Sequence, residues 1–241
     1  CPLTIFIAGK TMRTRMIIPD FKLQLLTHQS KNFMGARHYH VILFLFLSAN
    51  SGFAQSELTQ HYPNGAIKAH GLMADAIKNG EWIYYYATGE KSAVEHFTAG
   101  KLDGSVLYYY PNKKLQGEEN WVMGTLEDSA RYYYQNGFPE KKGIYKHGQY
   151  DGKWLHYFEN GKPERVVNYV DGLPEGKTEV YNEQGRLIQQ GNYLNGKEQG
   201  EWNFYSDEGD LDFTGQYESG TPIGIWYKYS NGKKRVYKKY N

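Results

Sequence analysis

The side chains in this sequence best suited to chemistry are its histidines, its carboxylates and its aromatic rings. His61, His70, His96, His147 and His156 fall at no metal-ligand spacing, so they read as surface or cross-strand residues rather than as a metal site. Glu118-Glu119 and Asp207-Glu208 sit at turns or alternate across faces, which gives no paired acid and base. No G-x-S-x-G, H-E-x-x-H or phosphate-loop motif occurs. The expectation is therefore a non-enzyme that uses no metal and no cofactor. The aromatic residues are another matter. With 23 Tyr, 11 Phe and 5 Trp they are abundant, and they recur at fixed intervals.

The interval is 24 residues. Gly152 opens a unit, GKWLHYFENGKPERVVNYVDGLPE, and Gly80, Gly104, Gly176, Gly200 and Gly224 stand at multiples of 24 from it, with Asp128 in the remaining slot. Five residues in comes a tyrosine every time: Tyr85, Tyr109, Tyr133, Tyr157, Tyr181, Tyr205 and Tyr229. Nine residues in comes a turn glycine, replaced once by Lys113, and seventeen in comes an aromatic such as Phe97, Trp121 or Tyr193. A period of this size marks a repeat architecture. Eight copies start at 56, 80, 104, 128, 152, 176, 200 and 224, and the first and last are degenerate. Atypical end copies are expected where a repeat has a neighbour on one side only.

Turn signals fall about every 11 to 13 residues, and the runs between them are rich in Tyr, Trp, Val and Phe, so each unit reads as a β-hairpin. The predicted fold is all-β: an elongated, open, twisted antiparallel β-meander of about eight hairpins. Placing a two-residue type I′ turn at Asn160-Gly161 sets Glu159 opposite Lys162, Phe158 opposite Pro163, His156 opposite Arg165 and Trp154 opposite Val167. The same rule puts Trp202 across from Gly215, where the ring would cover exposed backbone. One face then carries Trp82, Tyr84, Tyr86, Lys91 and Phe97, or Trp202, Phe204, Leu211 and Tyr217. The other face carries the repeated tyrosine, read as a mostly buried structural ring, among polar residues such as Asn192 and Gln216.

The ends are read separately. Residues 34–54 (MGARHYHVILFLFLSANSGFA) have the basic start, the apolar run Val41–Ala49 and the small residues Gly52 and Ala54 of a secretory signal peptide. Residues 1–33 are an upstream extension outside the fold, and 55–241 form the repeat domain. Export implies a periplasmic or extracellular protein, with no membrane insertion once the signal is removed. The first 54 residues hold six Lys/Arg and one Asp, which leaves the rest with a net charge of about −3. Such a chain is a poor match for nucleic acid. The sole cysteine also leaves with this segment, so packing and sheet hydrogen bonds must hold the fold.

The units Gly80, Trp82, Tyr85, Gly89 and Gly200, Trp202, Tyr205, Gly209, with Tyr193-Leu194-Asn195-Gly196-Lys197, resemble the bacterial variant of the MORN repeat. The resemblance covers residues 56–241. Proteins of this kind are assigned to a YwqK-like antitoxin family, and the fold implied is an antiparallel repeat sheet. The H-G-x-G segment of eukaryotic MORN repeats is missing, so lipid binding is not implied.

Function is expected on the aromatic face. Trp82, Tyr84, Tyr86, Trp154, Phe158, Trp202, Phe204 and Trp226 are the candidate partner-binding residues. They either grip an extended protein or peptide segment, stack on a cell-envelope glycan, or simply form the core. The first is the leading expectation and the glycan the alternative.

Overall fold

The computed structural model describes residues 55–240. The expected signal peptide and upstream extension lie outside the described residues. Eighteen antiparallel strands form one sheet. They are β1 (Gln55–His61), β2 (Ile67–Ala74), β3 (Ile77–Tyr85), β4 (Lys91–Thr98), β5 (Lys101–Leu102), β6 (Gly104–Tyr109), β7 (Leu115–Val122), β8 (Thr125–Leu126) and β9 (Asp128–Tyr133). There follow β10 (Pro139–Lys146), β11 (Gln149–Tyr157), β12 (Pro163–Val170), β13 (Leu173–Tyr181), β14 (Leu187–Leu194), β15 (Lys197–Tyr205), β16 (Leu211–Glu218), β17 (Thr221–Ser230) and β18 (Lys233–Tyr240). Successive strands pair, with β5/β6 and β8/β9 each counting as one, so the connectivity is a meander, and no helix occurs among the described residues. Two units carry an interrupted first strand, β5/β6 and β8/β9, which accounts for the surplus over two strands per repeat.

The two kinds of turn are the reverse of the expectation. Ala99-Gly100, His147-Gly148, Asp171-Gly172 and Asn195-Gly196 have positive φ at both residues, which is the type I′ two-residue turn. At Asn160-Gly161 only the glycine has positive φ. There the Gly161 N–H donates to the Phe158 carbonyl and the Phe158 N–H to the Lys162 carbonyl, closing a three-residue loop. Phe158 therefore faces Lys162, and Tyr157 faces Pro163. A bulge at Glu164 then restores the register, so His156 still meets Arg165 and Trp154 still meets Val167. The same bulge moves residues at the Lys91 and Leu211 position to the other face, opposite Tyr85 and Tyr205. Lys91 accordingly lies over the Tyr109 ring rather than with the tryptophans.

The slot opened by Gly152 is also explained. Gly80, Gly152, Gly176, Gly200 and Gly224 all have φ between 60° and 73°, Gly104 has φ 107°, and Asp128, which stands in that slot in the fourth copy, has φ 63°. Aspartate is among the few residues that enter this region at modest cost.

The core is built around one row, to which Ala69, Ala93, Val94 and Val167 add. Trp82, Val106, Ala130, Trp154, Thr178, Trp202 and Trp226 occupy the same unit position and are all buried. Trp202 does pair with Gly215 along the backbone. Its ring, however, lies over Gly191 of the preceding strand, as Trp82 lies over Gly71, Trp154 over Gly143 and Trp226 over Gly215. The repeated tyrosines are mostly but not fully buried, as expected. Their partners are polar: Tyr181 donates to Glu179, and Gln190 donates to the Tyr205 hydroxyl.

Candidate functional site

The core row follows a rule of paired volumes. Wherever the row holds tryptophan, the residue eleven positions earlier is glycine: Gly71, Gly143, Gly191 and Gly215. Where it holds Val106, Ala130 or Thr178, that earlier residue is Glu95, Glu119 or Val167. A large ring needs bare backbone beneath it, and a small side chain leaves room for something else.

Two of the three tryptophan-free positions are filled from within. Glu119, 9 % exposed, accepts hydrogen bonds from Tyr132 Oη at 2.6 Å, Trp121 Nε1 at 3.0 Å and Tyr108 Oη at 3.2 Å. Burial, and then the Glu119 carboxylate, push the Tyr108 and Tyr132 phenols far above their ordinary range, so both remain donors. Burial also pushes Tyr145 up to about 12. Glu95 lies beside Tyr84, whose phenol is raised by burial and then by that carboxylate. Tyr84 in turn accepts from Lys78, whose ammonium sits 4.7 Å from the ring centres of both Trp82 and Phe97.

The third position is taken by Val167 and Thr178, both buried. Around Thr178 and Val167 lies a pocket of about 330 Å³. Tyr169, Tyr193 and Trp202 line it with Pro174, Val180 and Gln189, and both Glu164 and Arg165 border it. The Thr178 hydroxyl is already committed, donating to the Val166 carbonyl at 3.0 Å.

The face therefore changes character along its length. It is acidic and phenolic around Glu95 and Glu119, and cationic at Lys141 and Arg165. It is aromatic at Phe204, which lies 6.2 Å from Trp202 and 5.9 Å from Trp226. Between Lys141 and Arg165, paired to both across the sheet, lies His156. Burial and the two cations lower its pKa to about 4, so the imidazole is neutral.

The eight candidate residues do not behave alike. Trp82 and Trp154 are 0 % exposed, Trp202 1 % and Trp226 7 %, so they form the floor rather than a contact surface. Tyr84 and Phe204 are half-buried on that floor. Tyr86 lies at a loop and donates its hydroxyl to the Tyr109 carbonyl at 2.7 Å, joining one unit to the next. Tyr62, Tyr110 and Tyr134 make the same link to Tyr85, Tyr133 and Tyr157. Phe158 holds that loop position without a hydroxyl and contributes no such bond. Sequence reasoning missed Glu119, Arg165, Tyr169 and the pocket at Thr178. The signal was present as the alternation of Trp/Gly with small/large pairs, visible once the strand carrying the earlier glycine is known.

Three segments of the chain, residues 102–123, 150–171 and 174–195, match the family model described as MORN repeat variant. No curated protein matches the chain. Among solved structures, the chain is similar to part of a GtfA/B complex bound to UDP and GlcNAc, at 15% identity and TM-score 0.21, over 48% of this chain and 22% of that one. It is also similar to part of TcdB2-TccC3, at 12% identity and TM-score 0.19, over 76% of this chain and 14% of that one. The chain thus spans under a quarter of either structure, and likenesses at these TM-scores carry no argument.

Proposed function

We propose that this chain is a non-catalytic repeat scaffold that binds protein or peptide segments along its aromatic face. Export through residues 34–54 and membership of the YwqK-like antitoxin family belong to the same proposal. The observation that carries it is the set of half-buried aromatic side chains (Tyr84, Tyr169, Tyr193, Phe204) on the same face as the buried tryptophans Trp82, Trp154, Trp202 and Trp226. Such rings offer contact area at low conformational-entropy cost, and aromatics are enriched at binding hot spots. The Glu119 carboxylate is engaged by three donors, which favours a structural over a catalytic use of that residue.

The test is selection of peptides from a displayed library with the chain, followed by capture with variants. Tyr84→Ser together with Phe204→Ser should lower capture at least about tenfold while the unfolding midpoint stays in the folded range. Asn192→Ser, on the opposite face, should leave capture unchanged. Equal loss from both sets, or no selectable peptide, would defeat the reading.

A further inference from the structure

Among the described residues, the sheet has two different edges. β1 holds the place of the first strand of a unit and pairs with β2 alone, while β18 holds the place of a second strand and pairs with β17 alone. Every residue of β1 is exposed, and every residue of β18 but Tyr240. Repeats that cap an array turn a polar face to water. These two edges instead expose Leu58, Val236 and Tyr237. Leu58 occupies the tryptophan slot of the first unit and is 37 % exposed, whereas the same slot from Trp82 to Trp226 is 0–7 % exposed. At each of those internal positions the second strand of the preceding unit lies alongside, in one register: Gly117 meets Tyr132, Gln189 meets Phe204 and Phe213 meets Lys228.

We infer that β18 of one copy of the chain pairs with β1 of a second copy, so that the repeat series continues across two chains. Within its hairpin, β18 sets Arg235 against Lys228 and Lys238 against Trp226, as Phe213 stands against Phe204 and Gly215 against Trp202. Carrying the internal register over to the new junction then puts Arg235 opposite Gln60 and Val236 opposite Thr59. It lays Leu58 over Lys238, which obeys the rule of paired volumes, since a slot without tryptophan faces a residue that is not glycine, as Val106 faces Glu95. It also brings Lys239 to Glu57. At two internal junctions the equivalents of these residues already meet: His96 Nδ1 lies 2.9 Å from the Ser105 carbonyl, and Asn120 donates Nδ2 to the Ser129 carbonyl at 2.8 Å. Charge selects the partner edge. β18 carries Lys233, Lys234, Arg235, Lys238 and Lys239 with no carboxylate, so two β18 edges repel each other. β1 has a carboxylate and no Lys or Arg. The contact is heterologous, so it propagates into a row of copies unless its rotation closes a ring. It keeps the tryptophan faces of successive copies on one side, and it stands apart from the peptide-binding reading.

Sedimentation velocity of the full chain over a wide range of concentration tests this. The expected result is association that grows with concentration. Glu57→Lys and Lys239→Glu each oppose like charges across the junction and should weaken association about fivefold. Mixed in equal amounts, the two variants oppose unlike charges wherever one meets the other, and should recover association. Leu58→Lys sets a cation over Lys238 and should weaken association at least about tenfold. Leu58 is exposed in the single copy, so the urea midpoint of that variant should hold. A monomer at every concentration overturns the inference. So does association that ignores all three substitutions, which would assign the contact to another surface. Loss in the two charge variants with no recovery on mixing overturns it as well.

Discussion

A tryptophan in a sheet one layer thick should be exposed on one side, yet these indoles are almost wholly buried. The reason lies in single residues. The positive-φ position that opens each unit bulges the strand, and the indole then comes to lie over the glycine of the strand before it. Two donate onward as well, Trp82 Nε1 to the Leu72 carbonyl at 2.9 Å and Trp154 Nε1 to the Ile144 carbonyl at 3.0 Å. A methyl group added at Gly191 would overlap the Trp202 ring, so Gly191→Ala should destabilise the chain by about 1–3 kcal/mol, the usual cost of overpacking. Urea unfolding measures this, and an unchanged midpoint would mean that the ring moves aside freely. The tryptophans, glycines and their period were legible in the sequence. Which glycine lies under which ring was not, because cross-strand pairing alone points to the following strand, while the bulge tips the ring toward the preceding one.

At the scale of the element, each hairpin is tied to the next at both ends. On the three-residue-loop side, Asn112, Asn136 and Asn160 each accept a backbone N–H two residues on within their own loop. Each also donates Nδ2 to a carbonyl of the next loop, at 3.1, 2.8 and 2.9 Å. On the type I′ side, the turn glycine N–H donates to the preceding unit, as Gly148 does to the Leu126 carbonyl and Gly172 to that of Tyr150. Asn136→Ala removes two side-chain hydrogen bonds at an exposed loop and should cost about 0.5–1.5 kcal/mol. Amide exchange should report the change at the loops of residues 134–138 and 158–162 first. Uniform loss of protection across the sheet would show that the loop bonds are not what couples neighbouring units. The hairpins and their count follow from sequence spacing alone. The exchange of turn types does not, because Asn-Gly favours the type I′ turn by itself. The three-residue loop is the version whose asparagine amide reaches the next loop.

Across the whole sheet, charge is distributed unevenly, and this sets how stability responds to acid. His156 lies between strands bearing Lys141 and Arg165, and its pKa is lowered from the ordinary 6.5 to about 4, first by burial and then by those two cations. Between these values the unfolded chain binds the proton and the folded chain does not. Stability is therefore fully present above pH about 6.5 and falls as pH drops toward 4. The carboxylates whose pKa values lie below the ordinary range act lower down. They include Glu127, held by the His147 backbone N–H, and Glu179, held by Lys177 and Tyr181. Their contribution is lost below pH about 4.5, so the two effects occupy separate windows. His156→Gln should flatten the urea midpoint between pH 6.5 and 4.5 and leave the steeper decline below it. Because burial is the larger cause, raising salt from 0.05 to about 0.5 M should recover only the smaller part of the loss, that due to Lys141 and Arg165. A parent protein whose midpoint is flat from pH 6.5 to 4.5, or a His156 ring signal titrating near 6.5, would show that water reaches the imidazole. The cationic centre of the face would then be open to solvent rather than packed against it.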